Sequence, residues 1–187
     1  MTDTVRIGDF RDHVGQEVKV QGWLHNKRSS GKLQFLIVRD GSGFAQAVMA
    51  KAAVPPEAWA AAESMGQESS LELTGKVKED KRAPGGFEVD VTSLEAIHVT
   101  HDYPITPKDH GTAFLMENRH LWLRSARQHA IARVRHTVVK AVRDYLDDQG
   151  YILADTPIFT PAACEGTTTL FAVPYFFTVI FLVARNF

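Results

Sequence analysis

Cysteine is nearly absent from this chain of 187 residues, in which Cys164 is the only one. A single cysteine cannot form a disulfide within the chain, and it excludes a zinc site built from several thiolates. An excess of charge is missing too, because 21 Lys and Arg residues balance 22 Asp and Glu residues. The composition therefore excludes a globally basic nucleic-acid-binding protein but not a local basic surface, and it predicts no metal site.

Long apolar runs are also scarce. The longest, residues 171–184, covers about 14 residues and contains a proline, so it is too short to span a bilayer. The amino terminus has neither the basic region nor the apolar region of a secretory signal. We therefore expect a cytoplasmic protein with no membrane association. The hydrophobic fraction of 44% is sufficient for a folded core.

Alternation of apolar and polar residues predicts β-strands in the first half of the chain. Residues 17–25 place Val18, Val20 and Leu24 on one side of a strand. The other segments are strands at 33–39, 44–49, 71–78 and 87–91, with a short helix at 55–65. Three strands, a helix and two strands are the order of an OB-fold, a five-stranded Greek-key barrel that commonly binds oligonucleotides. Other small barrels share this order.

The second half of the chain follows a helical period. Prolines 104 and 107 indicate a linker, and residues 125–150 carry an apolar stripe that ends at Gly150, a typical C-terminal cap. Residues 151–154 are predicted to form a strand. We therefore expect an OB-fold domain over residues 1–100, a linker over 101–124 and a partial α/β domain over 125–187.

Cations and an aromatic residue are interleaved on the neighbouring strands of residues 22–46. The cations are Lys27, Arg28 and Lys32. Single-stranded nucleic acid is held in this way, with cations along the phosphates and a ring such as Phe35 stacked on a base for roughly 1–3 kcal/mol. Gln46 can read a base edge. Alternatively, Phe35 and Trp23 pack on the barrel and the cations lie on a solvated hairpin. Composition alone favours this alternative.

The segment from Gly22 to Gln46 resembles the first three strands of the anticodon-binding domain of the aspartyl-, asparaginyl- and lysyl-tRNA synthetases. The resemblance implies that Phe35 stacks on the central anticodon base, that Gln46 contacts the same base and that Arg28 contacts the anticodon. The phrase Gly-Trp-Leu-His-Asn-Lys-Arg, without a longer arginine run, favours the asparaginyl branch. Residues 102–108 and 114–125 are similar to the hinge of that branch.

The helix at 125–150, the strand after it and Pro157 look like motif 1 of class II synthetases. That motif implies a homodimer, with Pro157 at its interface. The phrase Cys164-Glu165-Gly166 resembles the amino-acid pocket of the family, which implies that Glu165 contacts the α-amino group of asparagine. From the residues alone, a loop or N-cap acid is the favoured interpretation of Glu165. No catalytic residue is assigned, and Cys164 has no identifiable partner base.

The resemblance implies an asparagine–tRNA ligase that uses asparagine, ATP and Mg²⁺ and an asparagine-specific tRNA. The phrases of motifs 2 and 3 are not found in the 187 residues, and from about residue 177 the sequence departs from the family. We therefore expect a chain truncated after motif 1, and our hypothesis is that a frameshift caused the truncation. We expect this chain alone to bind no ATP or Mg²⁺ and to have no ligase activity. The alternatives are a non-catalytic tRNA-binding OB-fold module, a relative specific for aspartate or lysine, and a fragment that binds nothing.

Overall fold

A computed structural model describes residues 3–106 and 108–155 of the chain. Its internal contacts define two compact units, Met1–Trp122 and Leu123–Phe187. The first unit contains a barrel, and the second contains one long helix.

The first unit is built on a closed barrel of five strands. The strands are β1 (Glu17–Ser30), β2 (Leu33–Arg39), β3 (Phe44–Ala50), β4 (Ser70–Glu79) and β5 (Phe87–His98). Their order around the barrel is β1-β2-β3-β5-β4. All neighbours are antiparallel except β3 and β5, which are parallel. A helix, α1 (Pro56–Ser64), lies between β3 and β4. The OB-fold and its predicted element order are confirmed.

Alternation along the strands separates a buried, largely apolar barrel interior from an outer face. In β2, for example, Leu36 and Val38 are fully buried while Phe35 and Ile37 are only half-buried. The core extends from Val5 to Leu94 and includes Trp59 of α1. Each large apolar side chain buried in this way contributes about 1.5–3 kcal/mol, so the barrel has a core of its own.

Asp40 fastens the amino-terminal segment to the β2–β3 hairpin. Its carboxylate accepts hydrogen bonds from the backbone N–H groups of Ile7 (2.9 Å), Ser42 (2.7 Å) and Gly43 (2.9 Å), and from the Ser42 hydroxyl at 2.6 Å. Ile7 begins a 3₁₀ helix, Ile7–His13, that buries Phe10 in the core. Burial alone would raise the pKa of Asp40, but the hydrogen bonds from Ser42, Ile7 and Gly43 outweigh it and lower that pKa.

The second unit contains a 23-residue helix whose ends follow the sequence prediction. Two short helices at the end of the first unit, α2 (Thr112–Glu117) and α3 (Arg119–Trp122), precede the helix α4 (Ala126–Asp148) in the chain. The Ser125 hydroxyl caps α4 by accepting a hydrogen bond from the Gln128 N–H at 3.3 Å. Gly150 ends it with a φ of 83°. No residue of α4 is buried. In the described ranges, no helix has the length and apolar character that a membrane span requires.

The strand predicted at residues 151–154 is wrong. Residues 151–155 have no strand hydrogen bonds in the described part of the chain, and Ile152 is 92% exposed. A strand exists only where another strand satisfies its N–H and C=O groups. The apolar run Tyr151–Leu153 therefore has a strand-like composition without a described partner.

The Asp40 contacts predict how acid affects stability. Because the folded protein depresses the pKa of Asp40, the stabilisation is present above the unfolded value of about 3.9 and is lost as the pH falls through the lower folded value. We expect Asp40→Ala to lower the free energy of unfolding by about 1–3 kcal/mol at pH 7. The difference from the unaltered protein should shrink below about pH 4. Urea unfolding at pH 7 and pH 3 measures this, with the exposed Asp12→Ala as control. An undiminished difference at pH 3 would contradict the assignment.

Candidate nucleic-acid interface

A β-bulge in β1 sets the geometry of the outer face. Leu24 pairs with Val38, but Asn26 pairs with Ile37, the neighbouring residue of β2. His25 is therefore the extra residue on β1. A bulge of this kind reverses which side chains point inward beyond it.

The reversal places Arg28 outside the barrel. Without the bulge, Arg28 would fall on the same side as the buried Leu24, because both numbers are even. With it, Arg28 pairs with Phe35 on the outer face, and Lys27 pairs with the buried Leu36 on the inner face. One inserted residue thus decides which of two adjacent cations meets the aromatic ring.

An open cleft of about 410 Å³ lies on this outer face. It is lined by Arg28, Phe35, Gln46, Val48, Asp80, Arg82 and Glu88. The three residues that the sequence singled out for nucleic-acid contact are therefore brought together in one place. The Phe35 ring is half-buried and faces this open space rather than the core.

The Arg28 guanidinium covers the Phe35 ring. Its central carbon lies 4.4 Å from the ring centroid, a cation–π contact. Arg28 is otherwise exposed. The cleft thus offers a planar cation lying over an aromatic ring, and both kinds of surface stack on unpaired bases.

Gln46 contributes a partly engaged amide. Its Nε2 donates to Glu88 Oε2 at 3.3 Å across the β3–β5 pair. An amide oxygen has two lone pairs and a carboxylate about four acceptor positions. This wall of the cleft can therefore accept hydrogen bonds from donors on a base edge.

Sequence reasoning missed the β4–β5 loop. Arg82 lies there and forms a two-pronged pair with Asp80, with Nε–Oδ1 at 3.2 Å and Nη2–Oδ2 at 3.0 Å. The hydrogen bonds from Arg82 lower the pKa of Asp80, which stays ionised. The available signal was topological, because the loop between the fourth and fifth strands is a usual binding element of OB-folds.

Lys27 has a structural role away from the cleft. Its Nζ donates to the backbone oxygens of Ala62 (3.0 Å) and Glu63 (2.7 Å) at the carboxyl end of α1. Desolvation lowers the pKa of Lys27, although the charge of Glu63 opposes the shift. The expectation that Lys27 tracks phosphates is therefore wrong, because helix α1 already uses its charge.

Two family models match the chain. One, described as an OB-fold nucleic acid binding domain, matches residues 18–97. The other, described as tRNA synthetases class II (D, K and N), matches residues 111–182. The asparagine–tRNA ligase of Chloroflexus aurantiacus is 51% identical over 173 residues, and that of Sorangium cellulosum is 52% identical over 172 residues.

This chain belongs to the asparaginyl-tRNA synthetase family.

Solved structures of asparaginyl-tRNA synthetases agree with the fold. The Pyrococcus horikoshii enzyme complexed with asparaginyl-adenylate superposes with a TM-score of 0.81 at 37% identity, covering 94% of this chain and 41% of that one. The Entamoeba histolytica enzyme gives a TM-score of 0.71 at 26% identity.

The chain spans about two fifths of the length of its asparaginyl-tRNA synthetase relatives. The Chloroflexus and Sorangium alignments cover 92% and 91% of this chain but 39% of each relative. The class II family match ends at residue 182, after the position near 177 where we expected departure from the family. Pro157, Cys164 and Glu165 lie outside the described residues, so their expected roles rest on the resemblance.

Lys27 and Arg28 form a matched pair for testing the bulge. We expect Lys27→Met to lower the free energy of unfolding by about 1–3 kcal/mol, because two helix-end carbonyls lose a charged donor. Arg28→Met should change it by less than about 1 kcal/mol, because Arg28 is exposed and the structure gives it only the cation–π contact with Phe35. Urea unfolding of both variants measures the difference. Equal effects would show that the bulge does not separate the two side chains as described.

Proposed function

We propose that residues 1–100, which contain the barrel, are the anticodon-binding domain of an asparagine–tRNA ligase. The observation that carries the proposal is the open cleft in which Phe35, Arg28 and Gln46 meet. A ring, a planar cation and an amide on an OB-fold are the groups that recognise an unpaired base. The same geometry argues against the alternative in which these side chains only pack on the barrel.

The stack of Arg28 on Phe35 determines how a base enters. An incoming base meets the guanidinium before it meets the ring. It either stacks on the guanidinium plane or displaces this cation towards a phosphate and takes its place on Phe35. Either route uses stacking, which tolerates every base and provides affinity rather than identity.

Base identity is then read by the wall formed by Gln46 and Glu88. The cleft carries two arginines and two acids, Asp80 and Glu88, so its formal charge is zero. A neutral cleft attracts phosphates weakly compared with a basic groove. Its polar groups are better suited to hydrogen bonds with a base edge, where unmet acceptors penalise the wrong base.

The whole-protein activity that we propose is ATP-dependent attachment of asparagine to its tRNA, in the cytoplasm. Glu165 would bind the α-amino group of asparagine. The described residues contain no cluster of three or more His, Cys, Asp or Glu suited to a metal ion. We propose that the 187 residues alone bind tRNA without ligase activity, as a non-catalytic OB-fold module would. Asparagine-dependent ATP–pyrophosphate exchange tests this, because activity above background would contradict it.

Replacing Phe35 tests anticodon binding. We expect Phe35→Ala to weaken binding of an asparagine-tRNA anticodon hairpin by about 5- to 150-fold, the loss of one base stack. Fluorescence anisotropy with a labelled hairpin measures the dissociation constant.

Exposed Leu33→Ala, on the same strand, is the control for general damage to β2. A hairpin with an abasic central anticodon position should bind the unaltered chain and Phe35→Ala equally. Unchanged affinity of Phe35→Ala for the intact hairpin would refute the proposed site, and absence of any binding by the unaltered chain would refute the proposed function.

We further propose that α4 forms the homodimer interface expected for motif 1. Its stripe exposes apolar side chains by 41–65%. The stripe consists of Ile131, Val134, Val138, Val142, Tyr145 and Leu146. A helix with such a stripe is stable in water when a partner buries it.

A charge placed on this stripe should oppose dimerisation. We expect Val138→Asp to raise the dimer dissociation constant at least about tenfold, because the interface would bury an unpaired carboxylate. Thr137→Asp, on a different side of α4, introduces the same charge next to it and is the control. Sedimentation equilibrium measures both. Identical dimerisation of the two variants would contradict this interface.

A further inference from the structure

A second group of rings lies on the outer face of the barrel, beyond the anticodon cleft. We call Trp23, His25 and Phe44 the aromatic row. Trp23 and Phe44 occupy one cross-strand line with Arg39 between them, and His25 is the bulge residue next to that line. Trp23 is 40% exposed, Phe44 is 36% exposed, and His25 is exposed.

The rings of the aromatic row are held in place by their neighbours. The His25 and Phe44 rings meet edge to face, with centroids 5.1 Å apart at 74°. The Arg39 guanidinium lies 5.4 Å from the Trp23 ring. Arg39 is itself fixed by an ion pair with Glu68 at 2.6 Å, in which the Glu68 side chain is only 3% exposed. A ring fixed in advance loses little conformational freedom when a ligand stacks on it.

The barrel core does not need these rings. The same strands bury Leu24, Val38 and Ala45 on their inner faces, while the aromatic row points outward. Large apolar side chains grouped on an outer face mark interaction surfaces more often than single exposed ones do.

The aromatic row continues the anticodon cleft along one sheet face. Arg39 is four residues from Phe35 on β2, about 13 Å along the strand. Gln46, which lines the cleft, is two residues from Phe44 on β3 and faces the same side. One OB-fold commonly covers about 4–16 nucleotides of a single strand, so a strand anchored at Phe35 reaches the aromatic row.

We propose that the aromatic row is a second base-stacking subsite, which binds an unpaired nucleotide flanking the anticodon in the same RNA strand. This inference rests on the proposed anticodon-binding function. The nearby arginine is neutralised by Glu68, so stacking rather than phosphate attraction supplies the contact. The subsite therefore adds affinity without selecting a base.

The test compares ring-removing variants against RNAs that lack single bases. The full chain is titrated with an asparagine-tRNA anticodon hairpin and with versions that are abasic at each loop position outside the three anticodon bases. Phe44→Leu keeps an apolar side chain but removes the ring, and His25→Ala removes its edge-to-face partner. Ile97→Ala, 61% exposed on β5, is the control variant, and thermal melting verifies that every variant folds.

We expect Phe44→Leu to weaken binding of the intact hairpin by about 5- to 100-fold. One abasic flanking position should weaken binding by the unaltered chain similarly and abolish the effect of Phe44→Leu, while Ile97→Ala changes nothing.

If Phe35→Ala weakens binding but Phe44→Leu and His25→Ala do not, the anticodon function stands and the subsite is refuted, with a protein surface as the remaining occupant. If Phe44→Leu weakens every abasic hairpin as much as the intact one, the subsite is also refuted. If the unaltered chain binds no hairpin, both proposals fall.

Discussion

Closure of the barrel is the constraint on which the rest of the structure depends. A closed sheet has one inside and one outside, so each side chain on a strand is committed to the core or to the surface. The inserted residue His25 reverses which side chains of β1 point into the core, partway along the strand. Upstream of it, even-numbered residues build the core. Downstream, Arg28 faces outward and joins Phe35, while Lys27 turns to the end of α1. Core and recognition surface are thus set by the same alternation.

Much of the fold could be predicted from the sequence, because alternation and turn residues are local signals. The five strands, α1 and α4 begin within about one residue of their predicted positions, but β1 and β5 continue to Ser30 and His98, well past their predicted ends at residues 25 and 91. The bulge has no such signal, since residues 26–30 are polar on both faces and do not reveal which side is inward. Lys27 was misassigned for that reason. The strand at 151–154 failed because pairing depends on a partner and not on β-rich composition. Phe35, Arg28 and Gln46 were found through family resemblance, whereas Arg82 and Glu88 needed the three-dimensional meeting of β3, β5 and the β4–β5 loop.

The two units differ in what they need from a partner. The barrel buries its own apolar side chains in a continuous core, and Asp40 joins its amino-terminal segment to the β2–β3 hairpin by hydrogen bonds. Both ends of helix α4 are capped, by Ser125 at the amino end and by Gly150 at the carboxyl end. Its apolar stripe, however, remains exposed in the described part of the chain. Caps and propensity provide little of a helix's stability compared with burial of an apolar face. The second unit is therefore the one whose apolar face lacks a cover among the described residues.

The neutral charge of the cleft and the exposed rings on the outer face of the barrel together determine what kind of RNA contact we propose. A protein that binds through phosphates needs a cationic excess, and its affinity falls steeply with salt. Here Arg82 is paired with Asp80 and Arg39 with Glu68, while Lys27 is occupied by α1. Arg28 lies over the Phe35 ring, and Arg39 lies over the Trp23 ring as well as against Glu68. In the RNA binding that we propose, affinity comes mainly from stacking and base-edge hydrogen bonds, which require an unpaired strand. The surface consequently favours a loop over a duplex, because the bases of a duplex are already stacked on one another.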